Sequence, residues 1–399
     1  MSKKISLGNV YFIVILLSLL ITLCTITYLR LTTTEGIIFN DNLKVEFMRD
    51  VYVSNFIKNI DGKLISDYKV DTNEVGKKDI VITFKNMYGF IVSKNLTIEV
   101  IDVTPPTVIV NSPYQVVRGS NIKLEEEIFC ADDYDDYIDC NINGEYDLNT
   151  LGKYNLEIVA TDKSGNITNK KFILDVIEKS VSSNNNSSIR YTDFNSIYNK
   201  YKNDKTKIGL DISKWQGNID YAKLKNQGVE FVMLKLGGQI EIGGEFIIDP
   251  KFYDNIEGAI SNDIDVGVYF YSYAKSSEEA IKQADFIVSK LDSYNINMPI
   301  VFDWENFSDY TKFHISFNTL NKIALSFINR VEELGYKGVL YSSKYYLENI
   351  WYSNNYTNWL AYYNSEFNDY KDYYMWQMCS NGKIDGISGY VDIDIMYVG

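Results

Sequence analysis

Five carboxylates carry the chemistry this sequence can do. Asp211 closes the apolar run KIGLD, Asp303 and Glu305 close PIVFDWE, and Asp392 and Asp394 alternate within YVDIDIMYV. Residues two apart in an extended segment share a face, so Asp303 and Glu305 point one way and Trp304 the other, and Asp392 and Asp394 also share a side. Carboxylates held close together push each other's pKa values apart, so one keeps its proton near neutral pH while its neighbour is ionised. Such a set suits cleavage of a glycosidic bond, where one carboxyl protonates the leaving oxygen and another supports the charge that develops. The plainer reading makes Asp211 and Asp303 helix caps and the others solvated loop charges. A DxE pair alone does not decide between the two.

Composition narrows the field. The 399 residues include one histidine, His314. Zinc peptidases and amidases need imidazole ligands, and serine and cysteine hydrolases need an imidazole base. Hydrolysis must therefore lean on Asp and Glu, with no metal and no cofactor, and His314 reads as a surface residue. None of Cys24, Cys130, Cys140 and Cys379 forms a CxxC pair, which sets aside a zinc ribbon or a thiol redox motif. Cys130 and Cys140 fall in one segment and are expected to bond in an oxidising compartment, whereas Cys379 reads as a buried small apolar residue. A net charge of -14 argues against a nucleic-acid partner, and it would repel an anionic cell wall as well. The stretch CADDYDDYIDC (Asp132, Asp133, Asp135, Asp136, Asp139) lacks the glycine and terminal glutamate of an EF-hand loop. It reads as a solvated acidic loop, with calcium as the alternative.

Several elements must position these groups. Residues 10–29 are uncharged and mostly apolar, long enough as a helix to span roughly 30 Å of hydrocarbon. Lys3 and Lys4 precede them, so the positive-inside rule puts the N-terminus in the cytoplasm and the bulk outside. A cleaved signal peptide is the competing reading, but the apolar stretch is long for one and no A-x-A site comes after it. A lipoprotein cleavage before Cys24 is disfavoured by the bulk of Leu23. Residues 35–178 repeat with an offset of 76: DTNEVGKKDIVITF aligns with DLNTLGKYNLEIVA, Gly76 with Gly152, Gly89 with Gly165, and LTIEV with FILDV. Both copies alternate apolar and polar residues, giving two small all-β sandwiches at 31–103 and 104–178. The phrases DVTPP and ATDKSGN resemble bacterial immunoglobulin-like surface modules, which implies spacers or an adhesive stalk. Residues 179–206 form a Ser/Asn-rich linker, whose aromatic part near Tyr191–Tyr201 can pack on the C-terminal domain.

From Lys207 to Gly399 strands alternate with helical patterns, and after about Trp359 the helices run out. This predicts a multidomain chain ending in an irregular TIM-type α/β barrel, with catalytic groups at the C-terminal ends of its strands. All five tryptophans (Trp215, Trp304, Trp351, Trp359, Trp376) lie here. Aromatic faces stack on sugars, so Trp376, Tyr362, Tyr269 and Tyr271 are candidate glycan contacts. Core packing is the alternative, and the preferred one for Trp304 and Trp359. Tyr341 of the strand GVLYSS and Asp394 join the substrate-binding candidates.

The segments GLDISKWQGNIDYAKLKNQGVEFVMLKL, DPKFYDNIEGAISNDIDVGVYFYSYA, PIVFDWEN, WLAYYN, MWQ and GISGYVDIDIMY occur in order over nearly all of 207–399. Together they resemble family 25 glycoside hydrolases, the cellosyl-type lysozymes. The turn LGGQIEIGGEF departs from that family's Thr-Glu-Gly-like pattern after the second strand. The resemblance implies an N-acetylmuramidase on a barrel of eight strands and five helices, acting on peptidoglycan glycan strands. It implies that Glu305 is the general acid, that Asp303 orients the 2-acetamido group or stabilises charge, and that Asp211 and Asp392 support them. A glycan-gripping barrel without activity, a chitinase-type glucosaminidase and an adhesin working through its β-sandwiches remain as rivals. The chitinase-type DxxDxDxE run is absent. The expected location is a single-pass membrane protein, held in the bilayer by residues 10–29 and facing a cell wall.

Overall fold

The computed structural model describes residues 7–32, 36–179, 191–291, 293–364 and 366–398. It divides into two compact units, Met1–Thr104 and Pro105–Gly399. The first unit begins with the helix Leu7–Thr32. Val10–Leu29 within it has a mean hydropathy of 2.6 and none of it is buried, so it is long and apolar enough to cross a membrane. A small all-β module comes next. Gly76–Asn86 and Ile91–Ile101 form an antiparallel hairpin, flanked by Gly62–Leu64 and by Lys44–Glu46, with Ile37–Phe39 and Ile57–Ile60 as a separate two-stranded sheet.

The second unit opens with the other copy of the repeat. Gly152–Thr161 and Ile167–Ile177 pair in the register of the first hairpin, Gly152 opposite Val176 as Gly76 is opposite Val100. The turns place Gly89 and Gly165 at φ +85° and +90°, a conformation costly for any residue with a Cβ. The inward positions correspond one for one: Ile80, Ile82, Phe84, Leu96, Ile98 and Val100 in one copy, Leu156, Ile158, Ala160, Phe172, Leu174 and Val176 in the other, all buried. Cys130 and Cys140 are joined in this module. The acidic loop between them is not wholly solvated as expected. Asp132 and Asp135 are buried, and their carboxylates lie within 4.8 Å of each other and of Asp162.

The rest of the second unit is a closed barrel. Among the described residues its strands are β1 (Thr206–Ile212), β2 (Phe231–Gln239), β3 (Asp265–Tyr271), β4 (Ile300–Asp303), β5 (Gly338–Ser343), β6 (Asn358–Ala361), β7 (Met375–Lys383) and β8 (Val391–Tyr397). Strands β1 to β7 run parallel in chain order, and β8 pairs antiparallel with both β7 and β1 to close the ring. Its helices are α1 (Tyr221–Asn226), α2 (Phe252–Ser261), α3 (Ser277–Leu291), α4 (Phe317–Glu333) and α5 (Lys344–Asn349). The barrel is therefore not of the true TIM type. Only the short stretch 384–390 joins β7 to β8, and a parallel pair needs a crossover of a dozen or more residues.

Alternation divides the strands into two cores. Met233, Val301, Val339, Trp359, Met375 and Met396 fill the barrel interior, while Leu234, Ile300, Phe302, Leu340 and Trp376 pack outward under the helices. Space inside is short: a Cβ at Gly267 would lie 2.6 Å from Met233 Sδ. Residues 192–201, placed in the linker by sequence, belong structurally to the barrel. Thr192–Asp193 pairs with Gly382 and Lys383, and the helix Phe194–Tyr201 buries Phe194, Ile197 and Tyr201 in the outer core. The Ser/Asn run of the linker lies outside the described residues.

Candidate active site

The parallel strands deliver their last inward residues to one mouth. Across neighbouring strands Asp303 lies level with Tyr271 on β3 and Tyr341 on β5, and Asp211 on β1 lies level with Asp392 on β8. Asp211, Asp303, Glu305 and Asp392 line one cavity of about 280 Å³, and Tyr269, Tyr271 and Tyr341 share it. Strand β4 ends at Asp303, so Glu305 reaches the cavity from the following loop rather than by strand alternation. Its φ of -121° and ψ of 14° start a 3-10 segment, Asn306–Phe313. Asp303 is 4% exposed, and its Oδ1 has no hydrogen-bond partner among the described residues. Glu305 is the solvent-accessible member of the pair. Trp304 between them is buried on the far side and donates through Nε1 to Ala274 O at 3.2 Å. Asn306 anchors the exit, donating to Ser272 O at 2.8 Å and accepting from Tyr271 Oη at 3.3 Å.

Three further residues line the cavity: Lys235, Trp359 and Tyr363. A fourth, Gln377, works just beneath it. Its amide nitrogen donates to Asp211 Oδ2 and Asp392 Oδ2, both at 3.1 Å. Its amide oxygen accepts from Tyr341 Oη and Tyr363 Oη, both at 2.8 Å. One buried amide thus ties two carboxylates to two phenols. The sequence signals for Lys235 and Gln377 were a lone cation in the apolar run FVMLKL and the polar member of MWQ. Charged side chains are rarely buried without a partner.

Three sequence candidates lie elsewhere. Trp376 is fully buried on the outer face of β7, its ring edge-on to Phe367 and Tyr201 and its Nε1 donating to Tyr362 O at 2.7 Å. Gln377 beside it takes the inward position, so Trp376 cannot. Tyr362 packs its ring against Phe367, and the exposed Tyr363 takes its place in the cavity. Asp394 lies below the cavity, fully buried, where it accepts from Trp359 Nε1 at 2.9 Å. Trp359, read as core, both fills the barrel and lines the site.

Burial sets the protonation of this cluster. It lifts Asp211 and Asp303 well above the usual carboxylate range, with repulsion from Asp392 acting on the first and from Glu305 on the second. Asp394 is raised well above by burial and by Asp211. Asp392 is pushed up to about 6 by burial and by Glu305. Glu305 reaches solvent at the mouth, yet desolvation of its carboxyl by the cavity walls raises its pKa, and its repulsion with Asp303 is mutual. The Lys235 ammonium opposes these rises at Asp211, Asp303 and Glu305. It rests 4.8 Å from the Tyr271 ring centroid and 5.9 Å from that of Tyr269. These raised pKa values suit a carboxyl of the cluster to donate a proton to a bound reactant.

The family model "Glycosyl hydrolases family 25" matches residues 210–387. An uncharacterized protein, YegX of Escherichia coli O157:H7, is 30% identical over 197 residues, covering 47% of this chain and 68% of that one. Among solved structures, the modular autolysin LytC from Streptococcus pneumoniae has a TM-score of 0.42 at 23% identity, covering 60% of this chain and 56% of that chain. The Clostridium perfringens spore cortex lytic enzyme SleM has a TM-score of 0.44 at 22% identity, covering 50% and 69%. By the family match and the Escherichia coli relative, the chain belongs to the glycosyl hydrolases family 25 and is a glycoside hydrolase.

Proposed function

We propose that this protein is a muramidase, cleaving the β-1,4 bond between N-acetylmuramic acid and N-acetylglucosamine in peptidoglycan. The observation that carries the reading is the pairing of accessible Glu305 with buried Asp303 at one mouth, inside a family 25 domain. Glu305 donates its proton to the leaving glycosidic oxygen. The muramic acid's own acetamido oxygen attacks the anomeric carbon, and the Asp303 carboxylate orients the acetamido N–H and balances its developing positive charge. Glu305, now ionised, takes a proton from the water that opens the cyclic intermediate. Asp303 has to be ionised for this role, and Lys235 is the group that favours that form. Asp211 and Asp392, tied through Gln377, hold the floor, and Tyr269, Tyr271 and Tyr341 line the sugar path.

Residues 10–29 act as an uncleaved signal anchor, with the N-terminus cytoplasmic and the bulk facing the wall, and the two β-modules are immunoglobulin-like. A mature N-terminus beyond Leu29 would sink the anchor. Mass analysis of muropeptides released from purified peptidoglycan by the full chain in detergent tests the enzyme. Reducing-end muramic acid is expected. Reducing-end glucosamine would make it a glucosaminidase, and binding without release a glycan-gripping module. EDTA should leave the rate unchanged, since no metal takes part in these steps.

A further inference from the structure

The segment that carries Glu305 is not completed by the barrel. Glu305 lies between buried Trp304 and buried Asn306, and the chain then runs through a 3-10 segment to the start of α4. Aromatic packing holds this stretch: the Trp304 ring centroid is 5.0 Å from Phe307, 5.7 Å from Tyr310 and 4.9 Å from Phe313. The next ring in the stack comes from the second β-module. Phe129 lies 5.0 Å from Tyr310 and 6.2 Å from Phe317, and it is buried in the same apolar core as the barrel shell.

The first backbone N–H groups of a helix have no partner within it and must be met from outside. At α4 the β-module meets most of them. Phe317 N donates to Asp132 O at 2.8 Å, and Asn318 N to Asp133 O at 3.0 Å. Asp136 Oδ1 accepts from Ser316 N at 2.7 Å and from Thr319 Oγ1 at 2.8 Å. Thr319 N is served from within the barrel, by Ser316 Oγ at 3.1 Å. The acceptors from the β-module all lie in the loop closed by Cys130 and Cys140, whose Tyr137 also faces His314 at 5.5 Å. A passive spacer would touch its neighbour through exposed side chains. Here a ring stack and a helix cap are shared.

We infer that the second β-module is a working part of the active site: Phe129, just before its disulfide-closed loop, and Asp136, within that loop, hold the 304–319 segment and so set Glu305 against Asp303. Phe129 and Asp136 are positioning residues. The inference rests on Glu305 acting as the general acid, but the contact can be tested without turnover.

The experiment uses the full chain in detergent and compares D136A, D136N and F129A with K170A, an exposed substitution on the same module. Hydrogen exchange is followed at 304–319 and at α2 as an internal standard, and kcat, KM and the pH profile are measured on peptidoglycan. D136A should speed exchange at 304–319 about five- to tenfold, the size of a lost helix cap, and leave α2 unchanged. The same variant should lower kcat about as much, keep KM within about twofold and shift the alkaline limb of the pH profile. D136N keeps an acceptor oxygen for Ser316 and should recover most of the loss, and K170A should match wild type. F129A should act as D136A does, and if it fails to fold, D136A stands alone. Unchanged exchange and kcat in D136A would overturn the inference, as would exchange that rises equally in α2. Localised exchange in a chain that cuts no glycan would support the brace and sink the muramidase reading.

Discussion

Two regions of this chain concentrate carboxylates, and they use them in opposite ways. In the loop 130–140, aspartates serve mainly as acceptors for backbone N–H groups. Asp132 Oδ1 takes Tyr134 N and Asp135 N, both at 2.9 Å, Asp135 Oδ2 takes Lys163 N at 2.8 Å, and Asp136 takes Ser316 N. In the barrel mouth the partners are side chains: an amide, phenols and one ammonium. Burial there exceeds what those partners offset, so the pKa values of these carboxyls are raised. A backbone donor turns a carboxylate into a structural acceptor, whereas a crowded pocket with few donors turns it into an acid. Acidic residues close in sequence thus say little until their donors are known.

The largest expected effect tests the mouth. Glu305→Gln keeps size and hydrogen bonding but removes the proton, and general acid catalysis is typically worth 10²–10⁴-fold. The kcat of the full chain on purified peptidoglycan should fall at least about 100-fold while wall binding persists, and near-normal turnover would end the proposed mechanism. Asp303→Asn should come next, again losing roughly 100-fold by the same measure, since a neutral amide cannot balance the charged intermediate.

Lys235→Met sharpens the electrostatic side of the comparison. Lys235 holds the pKa values of Asp303 and Glu305 down, so its loss raises both. Asp303 then ionises later and Glu305 deprotonates later, and both limbs of the rate profile should move to higher pH. A profile that stays in place would show that Lys235 does not act on this pair.

The disulfide loop should respond in stability as well as position. Closing ten residues of sequence separation corresponds to roughly 2–3 kcal/mol of chain entropy. Cys140→Ser should lower the melting temperature accordingly, and an unchanged value would mean the bond is not made in exported protein. The smallest change expected at the mouth is a pH dependence. The pKa of Asp392 is raised in the folded chain, so its contribution is present below about pH 4 and is lost as pH rises through about 6. The slope amounts to at most about 3 kcal/mol, and Asp392→Asn should flatten it in a melting series. Asp139→Asn in the exposed part of the loop should change stability by less than about 0.5 kcal/mol and leave activity alone.

Much of this was legible in the residues themselves. The offset of 76 predicts the repeated hairpin because period-2 burial and a turn glycine are local requirements, and a second copy meets them with the same spacing. Carboxylates ending apolar runs mark a mouth because parallel strands all present their C-terminal ends to one side. What the pattern could not say is which phase of each strand faces inward after β5. Near β6 and β7 Trp376 and Tyr362 look as suitable as Gln377 and Tyr363, and only the ring closure through antiparallel β8 decides between them. Lys235 among the carboxylates, Gln377 beneath them and Asp394 under Trp359 are joined across strands far apart in sequence. The role of the acidic loop is the extreme case. Its acceptors serve donors about 180 residues later, and no local rule pairs a β-module's loop with the first turn of a barrel helix. Local periodicity determines which residues can share a face, but which faces meet is decided by how the whole chain closes its unpaired backbone groups and apolar surface.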